Sequence, residues 1–347
     1  MELLGRYRSK PRGAFVDITG KCNLACVYCG APEVNTSESM TFDNWSTVLS
    51  ELTVAGILDI TITGGEPFLH PDVALILEAA VNAFRSVTVL SNGILIGDML
   101  HFLKHFEPKR RLRFQISLDG ADECSNGDTR VGSDFELIWE NIRSIMGLGF
   151  ALSVNCTVTK YLTEERLKML ISRLGDEGIT RLGLVPLAPA GNARAKWDVL
   201  KPSRDTIDRI ILLDAQTING VHISSSICNF DFPSIGQQAE SQPSLKRCGA
   251  GRDSLAVAVN GDIYPCNFWA QKIGNIFECS LAAIWKESDV LGEIKCLERA
   301  TVSSIAECSG CDNLMFCGGG CRAYAYSLHG NMWAIDPYCW HRGDYRE

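Results

Sequence analysis

Residues 14–30 read Ala14-Phe15-Val16-Asp17-Ile18-Thr19, then Gly20-Lys21-Cys22-Asn23-Leu24-Ala25-Cys26-Val27-Tyr28-Cys29-Gly30. The first six residues are mostly apolar or β-branched and are closed by a glycine, which predicts a short strand. The loop after it sets three thiols at the strand's carboxyl end, with three residues between Cys22 and Cys26 and two between Cys26 and Cys29. A structural zinc site wants four ligands, and no fourth Cys or His lies nearby, the next His being His70. Three thiolates on a four-iron cluster instead leave one iron open to a substrate.

Outward from this loop the strand-then-helix texture repeats. Strands are expected at Ala14–Thr19, Leu58–Thr63, Ser86–Leu90, Arg113–Leu118, Leu152–Thr157 and Arg181–Pro186. Between them Thr41 can cap a helix running to about Ala55, and Asp72–Phe84 carries apolar residues at helical spacing. Ser133 or Asp134 can start a helix reaching Met146, and Thr163 another reaching Leu174. Six such units predict an α/β fold with a parallel sheet. They are too few for a closed eight-stranded barrel, so a partial (β/α)6 TIM-like barrel or an open doubly wound sheet is expected, with ligands at the carboxyl ends of the strands. Ala188-Pro189-Ala190-Gly191-Asn192 ends the alternation, and a helix over about Asp205–Thr217 follows. From about Cys228 the texture changes to short strands, many glycines and most of the cysteines. The expected division is residues 1–200 for the barrel, 201–247 for a bridging helix and linker, and 248–347 for a Cys-rich domain.

Composition bounds the function. The chain has 347 residues, with 33 Lys+Arg against 41 Asp+Glu and a net charge of −8. An acidic chain is a poor sequence-independent nucleic-acid binder. With 46% hydrophobic and 21% charged residues, the balance is that of a globular protein, not of a disordered or coiled-coil one. The start lacks a secretory signal and no apolar run reaches membrane-span length, so a soluble cytoplasmic protein is expected. Fifteen cysteines in that compartment point to metal or catalysis more than to disulfides.

The C-x3-C-x2-C loop, with aromatic Tyr28 before its last cysteine, resembles the signature of the radical S-adenosylmethionine (SAM) superfamily. The resemblance implies a [4Fe-4S] cluster on Cys22, Cys26 and Cys29, whose open iron chelates SAM and whose electron releases a 5′-deoxyadenosyl radical. Three further segments carry the likeness. Thr63-Gly64-Gly65-Glu66-Pro67 resembles the family's GGEP turn, which implies that Gly64, Gly65, Glu66 and Pro67 hold the SAM amino group; a carboxylate can bind an ammonium. Ser91-Asn92-Gly93 resembles a family turn at the end of strand three and brings in Asn92. In Gln115-Ile116-Ser117-Leu118-Asp119-Gly120, Ser117 and Asp119 alternate onto one face, and the family sets such residues against the SAM ribose and carboxylate. Arg130 resembles the family's carboxylate-binding Arg, and a solvated loop Arg is the plain alternative. The likeness spans roughly residues 14–190.

Further on, twelve residues separate Cys248 from Gly261 and four separate Gly261 from Cys266; then come Cys308-x2-Cys311-x5-Cys317-x3-Cys321 and, seventeen residues later, Cys339. This resembles the SPASM extension of radical SAM enzymes. The resemblance implies two auxiliary iron–sulfur clusters, one on Cys308, Cys311, Cys317 and Cys339, the other on Cys248, Cys266 and Cys321. Three thiolates leave the second with an open iron, a ligand from Cys228, or a smaller cluster type. One or two zinc sites are the alternative, since C-x2-C also suits zinc. Asn260-Gly261 signals a hairpin; Gly274-Asn275-Ile276, Leu281 and Ile284-Trp285 resemble the family's short strand and helix between the Cys groups, and Trp285 reads as core packing. Cys156 reads as packing, and Cys279 and Cys296 as structural. Cys124, in the loop after strand four, is a candidate hydrogen donor to a substrate radical, or a bystander.

The implied reaction is hydrogen abstraction from a peptide or protein substrate in oxidative maturation, fed by a low-potential donor such as flavodoxin or ferredoxin. Only about fourteen residues precede strand one, too few for an amino-terminal peptide-recognition domain, which keeps oxidation, decarboxylation or epimerisation of a small molecule as the alternative. A non-enzymatic iron–sulfur carrier leaves the GGEP turn unexplained, and a zinc-stabilised binding module leaves the three-Cys loop unexplained.

Overall fold

The computed structural model describes residues 10–30, 38–226, 248–299, 305–311 and 317–339. Strands β1 (Gly13–Thr19), β2 (Asp59–Gly64), β3 (Ser86–Ser91), β4 (Leu112–Ser117), β5 (Ala151–Val158) and β6 (Arg181–Pro186) pair in that order, all parallel. Helices α1 (Phe42–Ala55), α2 (Val73–Ala83), α3 (Leu100–His105), α4 (Glu123–Gly127), α5 (Phe135–Gly147) and α6 (Glu164–Asp176) connect them. The expected caps form: Thr41, Asp134 and Thr163 each accept a hydrogen bond from a backbone N–H of the first turn, at 3.1, 3.0 and 3.3 Å. Such caps satisfy donors that a helix leaves orphaned.

The strands alternate in a way that sets the site. Val16, Ile18, Ile60, Ile62, Val87, Val89, Ile116 and Val154 are fully buried within the core that includes Trp45, Leu52, Leu77 and Ile142 of the helices. Their neighbours in sequence, including Asp17, Thr63, Thr88, Ser117, Asn155 and Thr157, face the opposite side and are only partly buried. The inner face is thus polar and small where a closed TIM barrel is filled with branched apolar side chains, and a lumen results.

The sheet does not stop at six strands. After α7 (Gly191–Ala195), α8 (Trp197–Leu200) and α9 (Arg204–Leu213), the chain forms β7 (Thr217–Ile218) and β8 (Val221–Ser225), with β8 parallel to β6. The helix expected to reach Thr217 ends at Leu213. Asn219 and Gly220 then take positive φ values of 48° and 74° and turn β7 antiparallel onto β8. Within the stretch read as bridging helix and linker, residues 204–225 therefore supply a helix and a strand that extend the parallel sheet beyond β6.

At the other edge β9 (Ser254–Val257) pairs parallel with β1, and β10 (Asp262–Tyr264) and β11 (Gly274–Asn275) follow antiparallel. The eleven strands of the described residues form one sheet, so β9, β10 and β11 of the Cys-rich region extend it beyond β1. The Asn260-Gly261 turn joins β9 to β10, with Gly261 at φ 84°. Helices α10 (Leu281–Glu287), α11 (Asp289–Arg299) and α12 (Arg322–His329) complete the described elements. Leu281 donates its N–H to Glu51 of α1 at 2.9 Å, and the Tyr338 hydroxyl donates to the Leu187 carbonyl at 2.8 Å. Among the described residues no helix is long and apolar enough to cross a membrane.

Candidate active site

The three-Cys loop is held from four sides. The N–H groups of Ala25 and Val27 donate to the carbonyls of Val131 and Thr129 at 3.0 and 2.9 Å. Asn92 Nδ2, at the end of β3, donates to Asn23 Oδ1 at 2.7 Å. The Asn192 N–H donates to the Cys29 carbonyl at 2.8 Å. The Tyr28 hydroxyl donates to Asp119 Oδ2 at 2.5 Å and accepts from Arg130 Nη1 at 2.7 Å. Ala190–Asn192, which sequence reading treated only as the end of the strand–helix alternation, is thus part of the site.

A cavity of about 380 Å³ opens above the loop and runs across the sheet's carboxyl end. Cys22, Cys26, Tyr28 and Cys29 of the loop line it, together with Gly64, Gly65, Asn92, Ser117 and Arg130 and with Cys266 and Trp269. The lining residues absent from the sequence reading are Asp17, Thr157, Asn267 and Trp269 among others. Asp17 and Thr157 were findable from strand alternation once the sheet order was known; Asn267 and Trp269 depend on the β1–β9 pairing, which leaves no local signal.

Several expected SAM contacts stand behind this wall. Glu66 is fully buried: Oε1 accepts from Ser91 Oγ at 2.9 Å and from the Phe68 N–H at 3.2 Å, and Oε2 accepts from the Asn92 N–H at 2.8 Å. Burial pushes its carboxyl above the ordinary range, while those three donors pull it back. Pro67 is buried at the start of the turn that follows. Asp119 does not share a cavity face with Ser117. Its chain has left β4, and its carboxylate accepts from the Thr157 N–H, Thr129 Oγ1 and Tyr28 at 2.8, 2.7 and 2.5 Å, with Arg130 3.9 Å away. Asp119 therefore sets the positions of Tyr28 and Arg130. Gly64 and Gly65 do line the cavity, but a Cβ at either would drive into the Thr19 or Lys21 backbone, so the strand–turn contact demands them as well. Cys124 is exposed on α4 and does not line the cavity: the short capped helix carries it outward, and the hydrogen-donor reading has no geometry behind it. Cys156 is fully buried, as packing requires. Cys228 lies outside the described residues.

The cysteines fall into three neighbourhoods. Burial raises Cys26 to about 11, with Cys29 and Cys22 adding to the rise. Burial likewise raises Cys266, and the Cys248 and Cys321 thiols beside it add to that. Burial raises Cys308 to about 11, with further contributions from Cys317, Cys339 and Cys311. Thiols that hinder one another's ionisation bind an electron-deficient centre that takes up the charge. Among the described residues no three His, Cys, Asp or Glu side chains converge as ligands of a single ion would. The loop's three thiols, with no fourth Cys or His beside them in sequence, suit a four-iron cluster with one open iron better than a four-ligand zinc site. The wall fits SAM as well, because Arg130 Nε is buried without a hydrogen-bond partner beside the three-Cys loop.

Residues 16–174 match the radical SAM superfamily model, and residues 248–312 match that of the SPASM iron–sulfur cluster-binding domain. The chain is a radical SAM enzyme with a carboxyl-terminal SPASM domain. Among curated proteins it is 25% identical to mycofactocin maturase MftC of Mycobacterium tuberculosis, over 93% of this chain and 81% of that one. It is 25% identical to the AdoMet-dependent heme synthase of Methanosarcina barkeri, over 96% and 97%, and 24% identical to the PqqA peptide cyclase of Xanthomonas oryzae, over 95% and 87%. The crystal structure of Streptococcus suis SuiB bound to precursor peptide SuiA superposes with a TM-score of 0.71 at 19% identity, covering 94% of this chain and 75% of that one; the likeness establishes a shared fold.

Proposed function

We propose that the chain oxidises a peptide or protein substrate by radical SAM chemistry in the cavity above the three-Cys loop. Cys22, Cys26 and Cys29 would hold a [4Fe-4S] cluster, and Gly64, Gly65, Asn92, Ser117 and Arg130 would line the SAM site. When bound, that cluster and SAM supply a 5′-deoxyadenosyl radical that abstracts hydrogen. The chain's own part is placement. Tyr28 and Asp119 orient Arg130 so that its free Nε is offered to an anion such as the SAM carboxylate. Glu66 fixes the Ser91-Asn92 turn. The lumen, lined by both the loop and Cys266, leaves room for substrate.

The observation that carries this reading is the cavity itself, which the three cluster-type thiols and Cys266 line together. Cys248, Cys266 and Cys321 would hold one auxiliary cluster, with Cys266 on the cavity wall, and Cys308, Cys311, Cys317 and Cys339 another. A flavodoxin or ferredoxin in the cytoplasm would supply the electron. The peptide cyclase and the peptide-bound SuiB fold support a peptide substrate. The second reading, oxidation, decarboxylation or epimerisation of a small molecule, is favoured by the match to the heme synthase across 97% of its length.

The test is anaerobic reconstitution. The reduced protein is expected to cleave SAM slowly to 5′-deoxyadenosine without substrate and to bind about twelve irons, or about ten if one auxiliary cluster is of the smaller type. Changing Cys22, Cys26 and Cys29 together to Ala should abolish cleavage and leave the auxiliary iron. Persistent 5′-deoxyadenosine from the triple variant, or stoichiometric zinc, would overturn the assignment.

A further inference from the structure

Two side chains of ordinarily charged type line the cavity, Asp17 and Arg130. Arg130 is matched to Asp119 and Tyr28. Among the described residues no hydrogen bond or ion pair meets the Asp17 carboxylate, and its partial withdrawal from water in the cavity wall lifts it from 3.8 to about 7. The strand register locates it. Asp17 pairs with Thr63 on β2, and Phe15 pairs with Ala256 on β9, which in turn pairs with Tyr264 on β10. The neighbouring row of the lumen wall therefore carries two aromatic rings, and Phe268 and Trp269 line the same cavity.

A carboxylate without a partner in a cavity wall is costly to keep, and a sequence that only needed to fill β1 would place Thr or Val there, as it does with Thr61 and Thr63 on β2 and Val185 on β6. A carboxylate flanked by aromatic faces is the chemistry that receives a basic side chain: the apolar stem lies along the rings and the charged head pairs with the acid. We propose that Asp17 is the specificity-determining residue of the cavity and that the substrate presents a lysine or arginine side chain to it; this rests on the peptide reading above. The site modified would then lie on or beside that basic residue, since the cavity also holds the three-Cys loop.

The experiment uses the reconstituted holoenzyme with SAM under anaerobic equilibrium dialysis. Three probes are compared: N-acetyl-lysine methylamide, its uncharged analogue N-acetyl-norleucine methylamide, and butylammonium. The lysine probe is expected to bind at least about tenfold more tightly than the norleucine probe, the discrimination a charge-assisted bond provides. Asp17→Asn, nearly isosteric, should remove that preference; norleucine binding and the cluster absorbance report whether the variant is intact. Equal affinity for the two amides in the unaltered protein, a preference that survives Asp17→Asn, or no measurable binding of the lysine probe overturns the proposal. Butylammonium separates the two levels of inference. If it binds as well as the lysine amide and is lost in Asp17→Asn, the cation site stands and the peptide reading falls.

Discussion

At the level of single residues, the polar groups gathered around the SAM site divide by what they touch. Asn92, Ser117 and Arg130 face the cavity, while Glu66 and Asp119 spend their oxygens on protein donors. A positioning Glu66 makes a distinct prediction. Glu66→Ala leaves the N–H groups of Asn92 and Phe68 and the Ser91 hydroxyl without their buried acceptor, at a cost of about 1–3 kcal/mol for each such group that water cannot reach. Anaerobic denaturation of the variant should show that loss of stability together with weaker SAM binding by calorimetry, because the turn carrying Asn92 loosens. A variant that binds SAM more weakly with an unchanged denaturation midpoint would place the carboxylate on SAM directly. The cysteines of the loop were legible because their spacing is local. Asp17 was not, because a strand residue's face has meaning only once its neighbours across the sheet are known.

Among the secondary elements, the six strands and the Thr41, Asp134 and Thr163 caps were readable from periodicity and turn chemistry, with ends off by a residue or two. The α9–β8 segment was misread for a physical reason. Ile210, Ile211, Leu212 and Leu213 continue the apolar run of α9, and β7 is two residues long, below the length at which alternation is visible. The β1–β9 pairing joins residues some 240 apart in the chain, and nothing local announces it. The α7 start is the element whose role changed most. Gly191 sits at φ 50° against the three-Cys loop, and a Cβ there would press on the Cys29 carbonyl and on Gly30 Cα, the latter at 2.7 Å. Gly191→Val is therefore expected to displace Cys29 and cost SAM cleavage by tenfold or more, a shift of about 1.4 kcal/mol or above, while the auxiliary iron stays bound. Iron analysis beside a 5′-deoxyadenosine assay checks it. Full activity in Gly191→Val would mean that the contact yields without moving the cluster ligand.

Across the whole molecule, the last cysteines tie the Cys-rich region together by crossing. Cys321 follows Cys308, Cys311 and Cys317 in sequence, yet its thiol neighbours Cys248 and Cys266. Cys339 returns to Cys308 and Cys317. Two buried side chains hold the crossing in place. Asp336 accepts from the N–H groups of Cys321 and, at 2.7 Å, Tyr338, and its carbonyl accepts from the Cys339 N–H at 2.8 Å. Arg322 donates to the carbonyls of Gly319 and of Met332 and Ala334, the last two at 2.9 and 2.7 Å, clamping the Gly run to the segment before Cys339. If each neighbourhood holds its own cluster, Cys321→Ala and Cys339→Ala should each lose up to about four irons but extinguish different electron paramagnetic resonance signals. Uncoupled SAM cleavage should survive in both, since neither touches the three-Cys loop, and some stability should be lost in both, because cluster ligation also supports folding. Loss of the same signal from the two variants would mean that Cys321 and Cys339 share one cluster, and that the crossing seen in the thiol neighbourhoods does not carry over to ligation.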